Sequence, residues 1–189
     1  LLDGADFTGL ALGVLDQEVF ERALEELEEF DNQPMVQVRL LSVVALTFHR
    51  LGLSDRGLET QRRVVAISRR ELGNEHPDTL TAIGNLAEFR KELGEYEESE
   101  QLWRELLKVC RRTLGDEHTE TLRAISSLAK VLRVRGLFAE AEPLFREALD
   151  VSRRTLGDDD PDTLLRINHL GMLFSDQGNY AEAESLYRE

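Results

Sequence analysis

Apolar residues recur three and four positions apart along most of this chain, which is the spacing of one buried face of an α-helix. Between residues 14 and 30 this spacing predicts an opening helix whose other face is rich in glutamate. Asp31-Asn-Gln-Pro34 then ends that helix and starts the next one. The same pattern continues to the last residue, so we predict an all-α protein. The apolar positions of the opening helix are Val19, Phe20, Ala23, Leu24, Leu27 and Phe30.

The pattern is repeated at a fixed interval. Leu72-Gly-Asn-Glu-His-Pro-Asp-Thr-Leu80 returns as Leu114-Gly-Asp-Glu-His-Thr-Glu-Thr-Leu122, and again as Leu156-Gly-Asp-Asp-Asp-Pro-Asp-Thr-Leu164. The three copies start at positions 72, 114 and 156, so the period is 42 residues. Residues 72–113 and 114–155 share 21 identities over those 42 positions. A fixed period of this size predicts a stack of helical repeats.

The period divides the chain into successive units. Residues 1–32 are expected to be an N-terminal capping helix or a partial repeat, and residues 33–71 a degenerate first repeat. The second, third and fourth repeats are predicted at residues 72–113, 114–155 and 156–189. The fourth is shorter than the period, so we expect it to be truncated and the chain to be a piece of a longer protein.

Each repeat is predicted to contain two helices, A and B, joined by a glycine turn. In the second repeat we expect helix A over Pro77–Leu93 and helix B over Tyr96–Leu114. A left-handed residue commonly follows a helix, and glycine adopts that conformation without steric cost. Pro143 falls near the start of its helix B, where no break is expected. The turn glycines are Gly52, Gly94, Gly136 and Gly178.

Small and large side chains alternate at fixed positions of the repeat. This alternation predicts close contact between helices A and B, with large residues filling the core between them. The small set is Ala45, Ala87, Ala129 and Gly171 on helix A, with Gly57, Ser99, Ala141 and Ala183 on helix B. The large set is Ile83, Ile125, Ile167, Leu86, Leu128, Leu170, Trp103, Phe145 and Tyr187.

The repeat resembles the tetratricopeptide repeat, whose usual period is about 34 residues. Gly94-Glu-Tyr-Glu-Glu-Ser, Gly136-Leu-Phe-Ala-Glu-Ala and Gly178-Asn-Tyr-Ala-Glu-Ala carry the likeness. With its longer period and its Leu-Gly-Asp-Glu-His-Pro-Asp-Thr-Leu motif, the chain is similar to the kinesin light chain type, over about residues 33–189. Such arrays also occur in bacterial multidomain proteins. The resemblance implies a right-handed superhelix of antiparallel helix pairs, an α-solenoid. The first repeat departs from the motif at Ser54, Gly57 and Gln61.

Composition limits the partners. The chain has 37 acidic and 23 basic side chains and a formal net charge of −14, which disfavours nonspecific binding to nucleic acid or to anionic membranes. The single Cys110 excludes an internal disulfide and suits a reducing compartment, so a cytoplasmic location is expected. No apolar run approaches the roughly 20 residues of a membrane span. The oligomeric state is left open.

The residues that could carry chemistry have simpler interpretations. His76 and His118 share one repeat position, but the third copy has Asp160, so we expect these residues to act in the loop and helix start rather than bind a metal. Cys110 aligns with serines, and Trp103 occupies a core position. The sequence contains no P-loop or hydrolase motif. We therefore expect no catalysis, metal or cofactor.

By resemblance, helix A residues should line a concave groove. Six of these are basic and three are acidic, the reverse of the 23 to 37 balance of the whole chain. The alternative is a solvated face of chance composition. The predicted acids are Glu88, Glu92 and Asp176. The predicted binding residues are Arg39, Arg50, Asn85, Lys91, Arg123, Ser127, Lys130, Arg133 and His169, with Arg123 and Arg133 facing solvent.

These features predict a non-catalytic scaffold that binds a protein or peptide in the groove. Kinesin light chains take peptides bearing acidic residues. This resemblance, together with the excess of basic residues on the predicted groove, favours acidic peptides with an apolar anchor. The groove asparagine of that family is matched only at Asn85; Ser127 and His169 stand at the equivalent positions. Two alternatives stay open: an intramolecular regulatory module of a larger kinase or nucleotide-binding protein, or an assembly spacer.

Overall fold

The computed structural model describes residues 19–30 and 32–188. These residues form helices and turns, with no strand among them, which confirms the predicted all-α class. Residues 14–18 of the predicted opening helix lie outside the described part. The helices are α1 Glu21–Glu28, α2 Pro34–Arg50, α3 Ser54–Leu72, α4 Pro77–Glu92, α5 Tyr96–Leu114, α6 Thr119–Val134, α7 Phe138–Leu156, α8 Pro161–Asp176 and α9 Tyr180–Tyr187.

Helix boundaries follow the sequence motifs closely. The predicted helix B of the second repeat matches α5 at both ends, and its helix A matches α4 except that Leu93 is the C-terminal cap. Pro143 lies inside α7 and does not interrupt it. Because proline has no N–H, the helix lacks the one hydrogen bond that this residue would donate to the carbonyl four residues earlier, and it continues across that position.

The repeated nonapeptide starts the A helices α4, α6 and α8 with a side-chain cap. The Nδ1 atoms of His76 and His118 accept hydrogen bonds from the backbone N–H groups two residues further on, at 3.2 and 3.1 Å. Asp160 does the same through its carboxylate at 2.8 Å. Each bond satisfies one of the unpaired N–H groups of a helix start. The expectation of helix-start chemistry at these positions is confirmed.

Glycine ends each A helix in the predicted left-handed conformation. Gly52, Gly94, Gly136 and Gly178 have φ angles of 73°, 80°, 75° and 79°. At Gly136 the following N–H, from Leu137, donates to a carbonyl in the last turn of α6 at 2.9 Å. This six-to-one bond is the Schellman motif, which satisfies carbonyls that the helix itself leaves unpaired.

The chain divides into two compact units, Leu1–Leu93 and Gly94–Glu189. The first contains α1 to α4 and the second α5 to α9. Within each unit, every A helix packs against the preceding B helix: α4 against α3, α6 against α5 and α8 against α7. None of the helices in the described part of the chain is both long and apolar enough to cross a membrane.

Small residues bring neighbouring A and B helices close together, as predicted. Ala45, Ala87 and Ala129 are fully buried on the A helices. At Gly57 in α3, an added Cβ would lie 2.4 Å from the ring of Phe89 in α4. The space that a side chain would take at this position is therefore filled by an aromatic ring from the neighbouring helix.

The large residues fill the core between those contacts. Trp103 and Phe145 are 0% and 1% exposed, which confirms their predicted core positions. The core prediction is wrong for Tyr187, at the same repeat position in α9, whose side chain is 50% exposed. Cys110 is fully buried, like the serines at its equivalent positions, and burial, reinforced by Glu120 and opposed by Arg123, raises the pKa of its thiol. A protonated, buried thiol is a packing group and not a nucleophile.

Candidate functional site

In the first unit, a pocket of about 420 Å³ opens between α2 and α4. Helix α2 contributes Arg39 and helix α4 contributes Asn85, both of them predicted groove residues. Arg39 is exposed and Asn85 is half-buried. We call this cavity the unit-1 pocket; it lies on the helix A face that the sequence assigned to the groove.

In the second unit, a smaller pocket of about 240 Å³ opens between α6 and α8. Helix α6 contributes Arg123, Ser127 and Lys130, and helix α8 contributes His169. We call this cavity the unit-2 pocket. It brings together four of the nine residues predicted from the sequence.

The two pockets occupy the same positions of the repeat. Arg39 and Arg123 are 84 residues apart, which is two periods, and so are Asn85 and His169. Each pocket lies between two successive A helices, because stacked repeats present the same helix face at each step. The unit-1 and unit-2 pockets are therefore equivalent sites with different side chains.

Arg123 is held in place from two sides. Its guanidinium bonds the Glu120 carboxylate at 2.8 and 3.0 Å, one turn away on α6. It also lies over the ring of the buried Trp103, 5.4 Å from the ring centre, which is a cation–π distance. Its side chain is 32% exposed, so part of the cation still faces the pocket.

Arg133 differs from the prediction of a solvent-facing cation. Its guanidinium pairs with the Asp176 carboxylate at 2.5 Å, and its side chain is only 18% exposed. This ion pair joins α6 to α8, since Asp176 is the last residue of α8. The sequence prediction was wrong for the exposure of Arg133 because it treated each helix face separately and did not consider a partner one repeat away.

The other two predicted acids of the groove also have basic partners. Glu88 pairs with Lys91 within α4. Glu92 contacts the Nδ1 atom of His49 at 2.8 Å, which joins the ends of α4 and α2. Lys91 and Arg50 line neither of the two pockets. Of the six basic residues predicted for the groove, only Arg39, Arg123 and Lys130 therefore line one of these two pockets.

His169 is a neutral imidazole inside the unit-2 pocket. Burial, together with the nearby cations Lys130, Arg133 and Arg166, lowers its pKa to about 4. Its ring packs 5.9 Å from that of Phe145 in α7. Among the described residues, its buried Nδ1 has no hydrogen-bond partner. Burial, and after it these three cations, disfavours the charged form of the imidazole.

Sequence reasoning missed two charged residues of the unit-2 pocket, Arg166 and Asp162. Arg166 is 8% exposed, and its Nη1 donates to the backbone carbonyl of Asp162 at 2.8 Å. The signal was present in the alignment, because Arg166 stands where the preceding repeats have Ala82 and Ala124. A charge at an otherwise small, buried position is informative in a repeat protein.

No group of three or more His, Cys, Asp or Glu residues in the described part of the chain could hold a metal ion. Each of the two pockets lies between successive A helices of its own unit, and the unit-2 pocket is lined by several cations.

The sequence model of the tetratricopeptide repeat family matches residues 78–133 and 123–189, more than half of the chain. No curated protein sequence matches this chain. Several solved structures share its fold. BtubC from P. vanneervenii is 22% identical with a TM-score of 0.75; the match covers 95% of this chain and 70% of that one.

Two further structures illustrate the range of similar proteins. A kinesin light chain type protein of Podosopora anserina with nearly identical repeats is 23% identical with a TM-score of 0.74, over 96% of this chain and 89% of that one. A Rap protein complexed with Competence and Sporulation Factor is 13% identical with a TM-score of 0.68, over 95% of this chain and 50% of that one. At these identities the likeness concerns the fold alone.

Proposed function

Because this chain belongs to the tetratricopeptide repeat family, we propose that it is a non-catalytic interaction scaffold whose helix A groove binds a peptide or an extended segment of a partner protein. Two pockets on that face support the proposal. Among proteins of the same fold, the Rap protein forms a complex with Competence and Sporulation Factor, which supports ligand binding by this architecture.

The groove favours acidic ligands. The observation that carries this step is the clustering of Arg123, Lys130 and Arg166 around one pocket of a protein with a net charge of −14. A local positive field inside an acidic molecule steers carboxylates toward the groove while the remaining surface repels them. Leu165 lines the same pocket and is 50% exposed, so it offers apolar surface beside the cations. The ligand class is therefore an acidic peptide that also carries an apolar residue.

We expect the protein to bind acidic, leucine-containing peptides and to reject the same peptides with lysine in place of glutamate. Fluorescence anisotropy of labelled peptides measures this. The affinity should fall several-fold between about 50 and 300 mM salt, because partly exposed charges are screened. Lys130→Glu should weaken binding about tenfold, a loss of about 1.4 kcal/mol.

Lys108→Glu is the matched control. Lys108 is an exposed lysine of α5 that lines neither the unit-1 nor the unit-2 pocket. The same charge reversal there should leave peptide affinity within about twofold of the parent. Equal binding of acidic and basic peptides, or an equal loss from both lysine variants, would contradict a basic groove. The intramolecular regulatory role and the spacer role stay predictions without a supporting contact.

A further inference from the structure

Another cavity of the second unit is formed mainly by a B helix. Its volume is about 540 Å³, which is within the usual range of small-molecule sites. Four of the seven residues that line it are cations, and one is an acid. We call this cavity the α5 pocket, because five of its residues belong to that helix. The lining consists of Arg104, Leu107, Lys108, Arg111 and Arg112 of α5, Asp116 after it, and Leu128 of α6.

Two arginines of the α5 pocket form ion pairs with the next B helix. Arg104 pairs with Glu140 at 2.6 Å, and Arg111 pairs with Glu147 at 2.5 Å. Both acids belong to α7, and each lies 36 positions after its arginine. Arginine also stands at both equivalent positions of α3 and of α7. These two cations therefore belong to the repeat and to its packing.

Lys108 does not follow that pattern. It lies between the two arginines along α5, and the residue 36 positions after it is Leu144 instead of an acid. Lys108 is exposed, and it makes no ion pair or hydrogen bond with any residue that the structure describes. The same repeat position holds Ala66 in α3 and Asp150 in α7, so stacking of the repeats does not require a cation here.

The two flanking arginines keep unused donors. Arg104 bonds Glu100 and Glu140 through its Nη1 and Nη2 atoms. Arg111 bonds Asp116 and Glu147 through its Nε and Nη2 atoms. Within the described part of the chain, the Nε–H of Arg104 and the Nη1–H groups of Arg111 have no acceptor. Together with the ammonium group of Lys108, these N–H groups could bind an added anion.

The surroundings strengthen the attraction for an anion. Leu107 and Leu128 are 6% and 4% exposed, so the pocket has buried apolar side chains beside its cations. Charges next to apolar groups interact more strongly than charges surrounded by water. Arg104, Lys108 and Arg111 also lie within about two turns of one helix, where like charges repel. A bound anion would offset that repulsion.

A phosphate group matches these donors better than a carboxylate does. A carboxylate offers two oxygens, whereas a phosphate monoester offers three acceptor oxygens and a charge of about −1.5 to −2 at neutral pH. Three oxygens can bond one ammonium and two guanidinium groups at the same time, and both kinds of cation are common phosphate ligands. The cavity is larger than a phosphate needs, and its leucines would contact an organic part of the ligand.

We propose that the α5 pocket binds the phosphate group of a small soluble ligand. Lys108 makes the site, and Arg104 and Arg111 supply the flanking donors. The chain's net charge of −14 opposes approach to an anionic membrane, which favours a soluble ligand over a phospholipid headgroup. This site is separate from the helix A pockets, and the proposal does not rest on the proposed function.

The test compares phenyl phosphate with benzoate on the isotope-labelled chain, at constant ionic strength, with amide shifts followed by NMR. Phenyl phosphate should shift the amides of α5 around Lys108 and bind several-fold more tightly than benzoate. Lys108→Ala, which installs the residue of the first repeat, should weaken phenyl phosphate binding about tenfold. Lys108→Arg keeps the charge and should stay within about threefold of the parent.

Arg154→Ala is the matched control. It removes an exposed cation of α7 that does not line the α5 pocket, and phenyl phosphate affinity should stay within about twofold of the parent. Lys108 is exposed, so its replacement removes little packing, and thermal melting checks that every variant is folded. The proposal is wrong if phenyl phosphate shifts no amide of α5, or if it binds Lys108→Ala as tightly as the parent.

Vesicles that contain phosphatidic acid test the source of the phosphate group. The parent should not co-sediment with them. Co-sedimentation that Lys108→Ala abolishes would overturn the soluble ligand and assign the site to a lipid headgroup instead.

The α5 pocket and the groove can fail independently. Lys108→Glu should abolish phenyl phosphate binding, although it should leave the acidic peptides bound. Loss of peptide binding by the parent would contradict the scaffold proposal alone, because phenyl phosphate is expected in a different cavity.

Discussion

His169 shows how strongly one residue depends on its neighbours. It stands at the position of Asn85, two repeats away, where the side chain carries no titratable group. The imidazole of His169 is half-buried between the ring of Phe145 and the cations of the unit-2 pocket, and it stays neutral. A titratable residue in this environment makes stability depend on pH.

The folded protein should lose stability as the pH falls from about 6.5 toward 4. The unfolded chain binds a proton on His169 below its ordinary pKa of about 6.5, whereas the folded state binds it only below about 4. The stability contribution is therefore complete above about 6.5 and declines with decreasing pH. We expect a loss on the order of 1–3 kcal/mol, allowing for partial solvent screening.

His169→Asn isolates this effect, because carboxylates titrate in the same range in both proteins. Urea unfolding at pH 7 and at pH 4.5 should show a smaller difference for the variant than for the parent. Identical pH dependence in the two proteins would show that His169 titrates normally in the folded state.

At the scale of helices, the two glycines that meet aromatic rings should respond differently to alanine. A Cβ at Gly57 would lie 2.4 Å from the ring of Phe89, which is 4% exposed and has no room to move, and 3.3 Å from a backbone carbonyl. At Gly171 the Cβ would lie 2.5 Å from the ring of Tyr187, which is 50% exposed and can turn away. The same methyl group thus meets a fixed neighbour in one pair of helices and a movable one in the other.

Gly57→Ala should therefore destabilise the protein by about 1–3 kcal/mol through overpacking between α3 and α4. Gly171→Ala should be within about 1 kcal/mol of the parent, since the gain in helix propensity offsets the rotation of Tyr187. Denaturant midpoints measure both. Equal losses would mean that the tyrosine ring is as fixed as the phenylalanine ring.

At the scale of the whole molecule, stability should vary from one repeat to another, because each repeat of a solenoid is stabilised by its immediate neighbours. Within the second unit, α6 buries ten residues, whereas the eight residues of α9 bury only Ala183. Tyr180 and Tyr187 on α9 are 72% and 50% exposed. Helix α9 should open locally much more often than α6 does.

Native-state hydrogen exchange tests this uneven stability. Amides in the middle of α6 should exchange only through global unfolding, and those of α9 through local opening of far lower free energy. Helix α7, with six buried residues, should resemble α6 and serves as the control within the same unit. Equal protection of α9 and α6 would show that the second unit opens only as a whole.

The architecture was predictable from the sequence because its causes are local and repeated. The 42-residue period, the glycines after each A helix and the small residues at the helix contacts all appear where they were expected. Helix caps and close helix contacts depend on residue type at a fixed position. Three copies of one motif therefore predict the helices, their ends and their core without further information.

The binding residues were predictable only in part. The sequence predicted that Arg123, Ser127, Lys130 and His169 lie on the groove face of the A helices. In the structure all four line the unit-2 pocket. Their roles as ligand contacts stay predictions. Which cation faces the pocket was decided by tertiary structure, because it depends on partners from other helices.

The tertiary structure pairs Arg133 with Asp176 on the next A helix, brings Arg166 beside the pocket and lowers the pKa of His169. Periodicity assigns a residue to a helix face, but it does not show which oppositely charged side chain lies within about 4 Å of it. Coulomb interactions and burial act through space between residues that are far apart in the chain. For this reason the sequence by itself determined the helical repeat and the helix A face on which each pocket lies, and only the folded arrangement within the second unit determined the charge that the unit-2 pocket presents.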